Sequence, residues 1–216
     1  AAVSFSHRIQ IFILLCYSTW SSLHLHRATA LSFISNFADP DYDAQDLSFQ
    51  GDAYYDAQSR MIQLTRNGDG TSVNNSVGRA FLTTPMPLWD TVTGELARFT
   101  TSFTFQIKVN NANNTGDGLA FFLGHYPPAD IPKFEREMGG GNLGLFNQSV
   151  GTVAAGDERA VAVEFDTHLN DGFDPSGSHM GIDVNSIASQ AYGNATLPDR
   201  NLTSGLPMTC HISYGN

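Results

Sequence analysis

The feature that most constrains the fold is a two-residue alternation of apolar and polar side chains. The stretch SFTFQIKV (residues 102–109) has an apolar residue at every odd position and a polar residue at every even one. LSFISNF (31–37) and MGIDVNSI (180–187) show the same period more weakly, and stretches rich in glycine and asparagine separate the runs. No long stretch has apolar residues at helical spacing. The pattern therefore predicts a single all-β domain, a sandwich or a barrel.

The first thirty residues have the composition of a secretory signal peptide. They contain Arg8 but no acidic residue, then the apolar run IQIFILLCY (9–17), and finally a small-residue site that ends at Ala30. Such a run is too short to span a membrane comfortably. We therefore predict a signal peptide over residues 1–30 and a folded domain over residues 31–216.

Cysteine content and glycosylation sequons agree with a secreted domain. Cleavage would remove Cys16 and leave Cys210 alone, so internal disulfides are not expected. Five Asn-X-Ser/Thr tripeptides are candidate N-glycosylation sites: Asn74, Asn113, Asn147, Asn194 and Asn201. The chain has 11 basic and 21 acidic residues, a net charge of −10, and no basic stripe. Nucleic acid and anionic membranes are therefore excluded as expected partners.

Candidate metal ligands lie in the stretch VAVEFDTHLNDGFDPSGSH (161–179). If its first residues form a strand, Val161, Val163 and Phe165 point to one face, into the core. The acids Glu164 and Asp166 then share the opposite face, and turn residues follow. Further polar residues can converge at the same strand end: Asn170, Asp174 and His179. Because these carboxylates have no Lys or Arg nearby, we expect a cation among them.

The residue types indicate which cations could bind. Asparagine, aspartate and backbone carbonyl oxygens suit Ca²⁺, whereas a histidine among carboxylates suits a first-row ion such as Mn²⁺ or Zn²⁺. The spacing matches neither an EF-hand nor an H-E-x-x-H zinc motif. The alternative is a solvated acidic loop without metal. We favour the metal site because the acids follow the period of the strand and a histidine completes the set.

The motifs resemble the legume (L-type) lectin family. The resemblance runs through SFTFQI, GDGLAFFL, GGGNLGLFN, VAVEFDTHLN, DPSGSHMGIDVNSI and LPMTCHISY, in family order, over about residues 31–216. Two further stretches, SVGRAFLTTPMPLWDTVTGELARFTTSFTF and LTSGLPMT, look especially like the extracellular domains of plant lectin receptor-like kinases. The resemblance implies a jelly-roll sandwich. The family continues with more strands beyond the position of Asn216, so C-terminal strands would be missing.

The resemblance also implies two ion sites and a sugar site. It implies a transition metal, usually Mn²⁺, on Glu164, Asp166, Asp174 and His179. It implies Ca²⁺ on Asp166, Asn170, Asp174 and the backbone carbonyl of His168, so that Asp166 and Asp174 bridge the ions. The implied carbohydrate-binding residues are Asp117, Gly141, His168 and Asn170. In the family a cis peptide bond precedes the sugar-binding aspartate, usually after alanine, and an aromatic residue usually stands where this chain has His168.

These observations favour a non-enzymatic, metal-dependent carbohydrate-binding domain. The leading hypothesis is the ectodomain of a lectin receptor-like kinase, and the first alternative is a secreted soluble lectin. Two weaker alternatives are a sandwich-fold glycoside hydrolase, which would use paired carboxylates, and a degenerate member acting through protein contacts. The expected partner is a glycan. A membrane would be contacted only through sequence beyond residue 216, and the resemblance allows a homodimer. The expected location is extracellular, either secreted or on the outer face of the plasma membrane.

Overall fold

The computed structural model describes residues 32–66, 75–109, 115–130, 140–146, 153–195 and 200–215. The chain separates into two units, Ala1–Ile34 and Ser35–Asn216, and the strands found among the described residues lie in the second. The predicted signal peptide and the sequons at Asn74, Asn113 and Asn147 lie outside the described residues. The asparagines at positions 194 and 201 are exposed. None of the described helical segments is long and apolar enough to cross a membrane.

Ten β-strands account for almost all of the regular structure in these ranges, so the predicted all-β class is confirmed. The helical elements within the described ranges are two 3-10 turns, Gly140–Asn142 and Gly156–Glu158. The strands are β1 (Leu47–Gly51), β2 (Tyr54–Asp56), β3 (Met61–Gln63), β4 (Gly78–Leu82), β5 (Phe99–Phe105), β6 (Gly118–Gly124), β7 (Ala160–Asp166), β8 (His179–Val184), β9 (Ala191–Asn194) and β10 (Met208–Tyr214).

The largest sheet is antiparallel and has the order β6-β7-β8-β9. Its register aligns Asp166 of β7 with Gly118 of β6 on one side and with His179 of β8 on the other. Glu164 lies opposite Gly181. Because alternate residues share a face, the acids of β7 and the imidazole of β8 lie on the same face of this sheet.

The opposite face of β7 packs against the pair formed by β5 and β10. Phe165 is 2% exposed and joins Leu202 and Met208 in one apolar cluster. Its ring lies 4.6 Å from that of Phe105, centroid to centroid. Each aromatic pair of this kind adds about 0.5–1.5 kcal/mol beyond the area that it buries. Phe165 therefore anchors β7 to the β5–β10 pair, while Glu164 and Asp166 on either side of it point to the opposite face.

Three details of the predicted strands are wrong. Residues 32–37 of LSFISNF form no strand, since no neighbouring strand hydrogen-bonds to them among the described elements. The strand predicted over SFTFQIKV begins earlier, at Phe99, and ends at Phe105. Val161 is 44% exposed instead of buried, because the pair β5–β10 covers only the end of β7 near Phe165.

Candidate metal centre and ligand site

Three ionisable side chains meet on the buried face of β7 and β8. Glu164, Asp166 and His179 are each 0% exposed, and one ligand atom from each lies within 4.8 Å of the others. No arginine or lysine forms an ion pair with them in the described part of the chain. Buried carboxylates without a cationic partner are unfavourable, so this arrangement calls for a bound cation.

The hydrogen bonds of His179 orient its imidazole as a ligand. Its Nδ1 lies 2.9 Å from the carbonyl oxygen of Ser176, which can only accept, so Nδ1 carries the proton in the neutral ring. Its Nε2 then presents a lone pair 3.0 Å from Oε1 of Glu164. Two adjacent ligand atoms that each lie about 2.1 Å from a metal ion are separated by about the same distance as these two atoms. A backbone carbonyl that fixes the tautomer in this way is typical of metal-binding histidines.

Unpaired oxygen atoms mark where the cations fit. Across the segments that the structure describes, four buried side-chain oxygens have no hydrogen-bond partner: Oε2 of Glu164, Oδ2 of Asp166, Oδ1 of Asn170 and Oδ2 of Asp183. Buried polar atoms are rarely left unpaired in native proteins. Carboxylate and amide oxygens are the ligands that Ca²⁺ takes, and a histidine beside carboxylates suits Mn²⁺. The residues present therefore fit the two ions that the resemblance implies.

The pKa values of the acids show how strongly the site disfavours uncompensated charge. Burial raises the pKa of Asp166 to about 7, although the hydrogen bond from the backbone of His168 opposes the rise. Burial, reinforced by the nearby charge of Glu164, raises the pKa of Asp183 to about 8. Burial also raises the pKa of Asp174, which is close enough to feel the charges of His179 and Glu164. A divalent cation would stabilise the ionised form of each group.

Backbone hydrogen bonds hold the loop that follows β7. The amide N–H of His168 donates to Oδ1 of Asp166 at 2.7 Å, and that of Asn170 donates to Oδ2 of Asp174 at 2.6 Å. The amide N–H of Asp174 in turn donates to the carbonyl of Asn170 at 3.2 Å. Each carboxylate thereby uses one oxygen to fix the loop, and the unpaired Oδ2 of Asp166 stays available to a metal.

Two residues of the buried cluster were missed by the sequence reasoning. Asp183 is 0% exposed, and the hydroxyl of Ser189 donates to it at 2.9 Å and also to Glu164. The two-residue period could have identified Asp183, because it lies on the same face of β8 as His179 and Gly181. Ser189 comes from the loop after β8, where no period relates it to the acids.

The predicted carbohydrate-binding residues gather at the same end of the sheet. Asp117 precedes β6, and the peptide bond between Gly116 and Asp117 is cis. A Cβ added to Gly140 would lie 3.8 Å from Oδ2 of Asp117, and one added to Gly141 would lie 2.8 Å from the side chain of Asn170. Gly141 thus packs directly against Asn170 and has no room for a larger residue, and Gly140 lies near the carboxylate of Asp117.

His168 borders this group from the loop after β7. The side chain of His168 is exposed and lies against Gly116. A Cβ added to Gly116 would be 2.9 Å from the Cβ of His168. Burial raises the pKa of Asp117, and the nearby imidazole opposes this rise. The two flanking segments are tied by reciprocal hydrogen bonds, 3.0 Å from the Thr115 hydroxyl to the Thr167 carbonyl and 2.7 Å from the Thr167 hydroxyl to the Thr115 carbonyl.

Comparison with known proteins identifies the family. The sequence model of the legume lectin domain family matches residues 30–216 of this chain. The bark agglutinin I polypeptide B of Robinia pseudoacacia is 39% identical over 190 residues, which are 88% of this chain and 63% of the relative. The seed lectin of Vatairea macrocarpa is 43% identical over 148 residues, 68% of this chain and 56% of the relative. The chain therefore belongs to the legume lectin family, and it spans less than two thirds of the length of these relatives.

A solved structure agrees with this assignment. The lectin UEA-II, determined in complex with galactose, is 35% identical and superposes with a TM-score of 0.65. The match covers 79% of this chain and 66% of that one. The predicted jelly-roll lectin fold is thus confirmed. Legume lectins are non-enzymatic carbohydrate-binding proteins, so the hydrolase alternative is not supported.

Proposed function

We propose that this chain forms the metal-dependent carbohydrate-binding domain of a secreted, soluble plant lectin. The observation that carries the proposal is the adjacency of two groups at one sheet end. Asp117, Gly141 and Asn170 form a polar group with a half-buried carboxylate, and Asn170 also belongs to the loop that contains the proposed metal ligands. Carboxylate, amide and backbone N–H groups around a shallow site are suited to binding sugar hydroxyls.

The metal ligands in this proposal are the six predicted ones. Glu164, Asp166, Asp174 and His179 would hold Mn²⁺ or another transition metal, and Asp166, Asn170, Asp174 and the carbonyl of His168 would hold Ca²⁺. The bound ions would neutralise the buried carboxylates. Asn170 would then direct its side-chain NH2 group toward the sugar, since its single side-chain oxygen, Oδ1, would be engaged by the calcium ion. This division makes the metal loop a support for the sugar site.

The soluble form is supported by the relatives better than the receptor-like kinase that the sequence motifs suggested. Both relatives described above are named as agglutinins or lectins, one from bark and one from seed. The motifs from Ser76 to Phe105 and from Leu202 to Thr209 still favour the kinase ectodomain as a second candidate. Sequencing the transcript beyond Asn216 distinguishes the two, because only the second requires a membrane span followed by a kinase domain.

A pair of substitutions in the full-length protein tests the assignment of the sugar site. Asp117→Ala should remove sugar binding and leave the metal content unchanged, because losing each charge-assisted hydrogen bond costs about 1.5–3 kcal/mol. Asp166→Ala should reduce metal content, thermal stability and sugar binding together. The measurements are a glycan array that includes galactose, calorimetric titration of the best ligand, and elemental analysis of each variant.

The outcomes separate the sugar site from the metal centre. If Asp117→Ala bound the same glycan with unchanged affinity, the assigned sugar site would be wrong. If Asp166→Ala retained both ions, the metal assignment would be wrong regardless of the sugar result. If the wild-type protein bound both ions but no glycan on the array, the chain would be a degenerate member that acts through protein contacts.

A further inference from the structure

A buried arginine lies behind the ligand site. Arg79, on β4, is 8% exposed, and no carboxylate pairs with it within the ranges that the structure describes. Burial lowers the pKa of its guanidinium to about 10. A buried guanidinium without an acid partner is tolerated when its N–H groups are taken up by other acceptors. The identity of these acceptors indicates what the residue does.

Three acceptors of Arg79 are backbone carbonyls from two separate segments. Its Nε donates to the carbonyl of Gly144 at 2.5 Å, and its Nη2 donates to that of Leu145 at 3.2 Å. Its Nη1 donates to the carbonyl of Ala129 at 2.9 Å. The residues that join the two segments, 131–139, lie outside the described part of the chain. One side chain therefore links the segment that ends at residue 130 to the segment 140–146.

A glutamine on the neighbouring strand reinforces this link. Gln50 lies directly opposite Arg79 in the β1–β4 register. Its Nε2 donates to the carbonyl of Pro128 at 3.3 Å and to Oδ1 of Asp130 at 3.2 Å, and its Oε1 accepts from Nη1 of Arg79 at 3.5 Å. The cross-strand pair thus holds the chain just before residue 131 and just after residue 143.

Residues 140–146, which we call the glycine segment, contact Arg79 at one end and the ligand site at the other. Its turns are closed by the amides of Leu143 and Leu145, which donate to the carbonyls of Gly140 and Asn142 at 2.9 Å and 2.8 Å. At its start, Gly141 packs against Asn170 and Gly140 lies near Asp117. At its end, the carbonyls at positions 144 and 145 are buried and bound by Arg79.

We propose that Arg79 is a positioning residue for the carbohydrate site. Its hydrogen bonds hold the glycine segment at a fixed distance from Asp117 and Asn170. The proposal rests on the proposed function in so far as the ligand is a sugar. The planar guanidinium presents donors in fixed directions and binds three carbonyls on three different nitrogen atoms. A lysine has a single nitrogen and cannot span these acceptors. Arg79→Lys therefore keeps the positive charge and removes the link.

The test uses the full-length protein loaded with Ca²⁺ and Mn²⁺, in three variants. Arg79→Lys removes the link, Gln50→Ala weakens it, and Met208→Ala lowers stability from the apolar cluster around Phe165, away from the glycine segment. Calorimetric titration with galactose measures affinity, and elemental analysis measures metal content. Hydrogen exchange of the Leu143 and Leu145 amides reports on the glycine segment without any sugar.

Arg79→Lys should weaken galactose binding by about ten-fold or more, the scale set by one lost hydrogen bond, with unchanged metal content. Exchange at Leu143 and Leu145 should become about ten-fold faster or more, because local opening of the segment becomes easier. Gln50→Ala should show smaller changes of the same sign, and Met208→Ala should show neither.

Two results would overturn the proposal. One is exchange at Leu143 and Leu145 in Arg79→Lys that is no faster than in Met208→Ala. The other is unchanged galactose affinity in an Arg79→Lys protein that is folded and metal-loaded. If Arg79→Lys does not fold, Gln50→Ala decides by the same two criteria. If the wild-type protein does not bind galactose, the choice of sugar fails, and the exchange rates alone decide the role of Arg79.

Discussion

Replacing Gly181 by alanine would place a methyl group inside the buried cluster. Gly181 lies opposite Glu164 in the register of β7 and β8. An added Cβ would lie 3.0 Å from Cδ of Glu164 and even closer to the carboxylate and to the hydroxyl of Ser189. The backbone at Gly181 is compatible with alanine, so the effect of the substitution is steric. The hydroxyl of Ser189 and either Glu164 or β8 must move.

The magnitude follows from this crowding. Forcing an extra methyl group into a packed site costs about 1–3 kcal/mol. The usual gain from replacing glycine, about 0.4–1 kcal/mol through the unfolded chain, offsets only part of this cost. Since Glu164 is a proposed ligand, its displacement should also lower the affinity for the transition metal, by about 10- to 100-fold on the scale known for changes around metal ligands.

Gly193 provides the matched control on the neighbouring strand β9. A Cβ added there would meet nothing within 4 Å. Urea denaturation and elemental analysis of Gly181→Ala and Gly193→Ala, both at saturating Ca²⁺ and Mn²⁺, measure stability and metal content. Gly193→Ala should match the wild type or slightly exceed its stability. If Gly181→Ala matched Gly193→Ala in both measurements, the crowding around Glu164 would not exist in solution.

Two further predictions concern the metal-free protein and the exposed apolar face. When a chelator removes the metal ions, ionisation of Asp166 and Asp183 opposes folding, because burial raises the pKa of both groups. Stability should therefore be fully present near pH 4 and be lost as the pH rises through about 7 to 8. The loss should be about 1.4 kcal/mol per unit of pKa shift. Saturating Ca²⁺ and Mn²⁺ should reverse this slope, since protons compete with the ions; melting curves at several pH values with the same slope in both conditions would contradict the prediction. Expressed alone, residues 31–216 should self-associate and bind a hydrophobic dye, because Val161, Ile182 and Val184 are 39–47% exposed on one face of β7 and β8. A soluble monomer that binds no dye and melts cooperatively would disprove this.

The sequence predicted the strands that position the site because their signal is local. The alternation in VAVEFDT places Glu164 and Asp166 on one face, and the structure has this face buried beside His179. The same period in MGIDVNSI would have identified Asp183. The exposure of Val161 could not be predicted, because it depends on how far the β5–β10 pair extends over the sheet. The contact of Ser189 with Glu164 and the crowding at Gly181 could not be predicted either. Both arise only when the loop after β8 folds back over Glu164.

The role of Arg79 is a further example of long-range information. In the sequence it lies within the strand pattern GRAFL, where an alternating residue would be taken for a solvent-facing one. Its three backbone acceptors lie 50, 65 and 66 residues further along the chain. A contact of this separation leaves no periodic signal, so only the folded structure identifies it.

The register of β7 and β8 has a consequence for the order in which the two sites can form. Glu164, Asp166, His179 and Asp183 all come from one antiparallel pair of strands that a single loop connects, so the chain closes the metal centre over a short sequence separation. Asp117 and Gly141 come from segments farther away in the sequence, and bringing them to the sheet end closes longer loops. Since local contacts form faster than distant ones, we expect the refolding chain to assemble its metal centre first and its recognition surface afterwards.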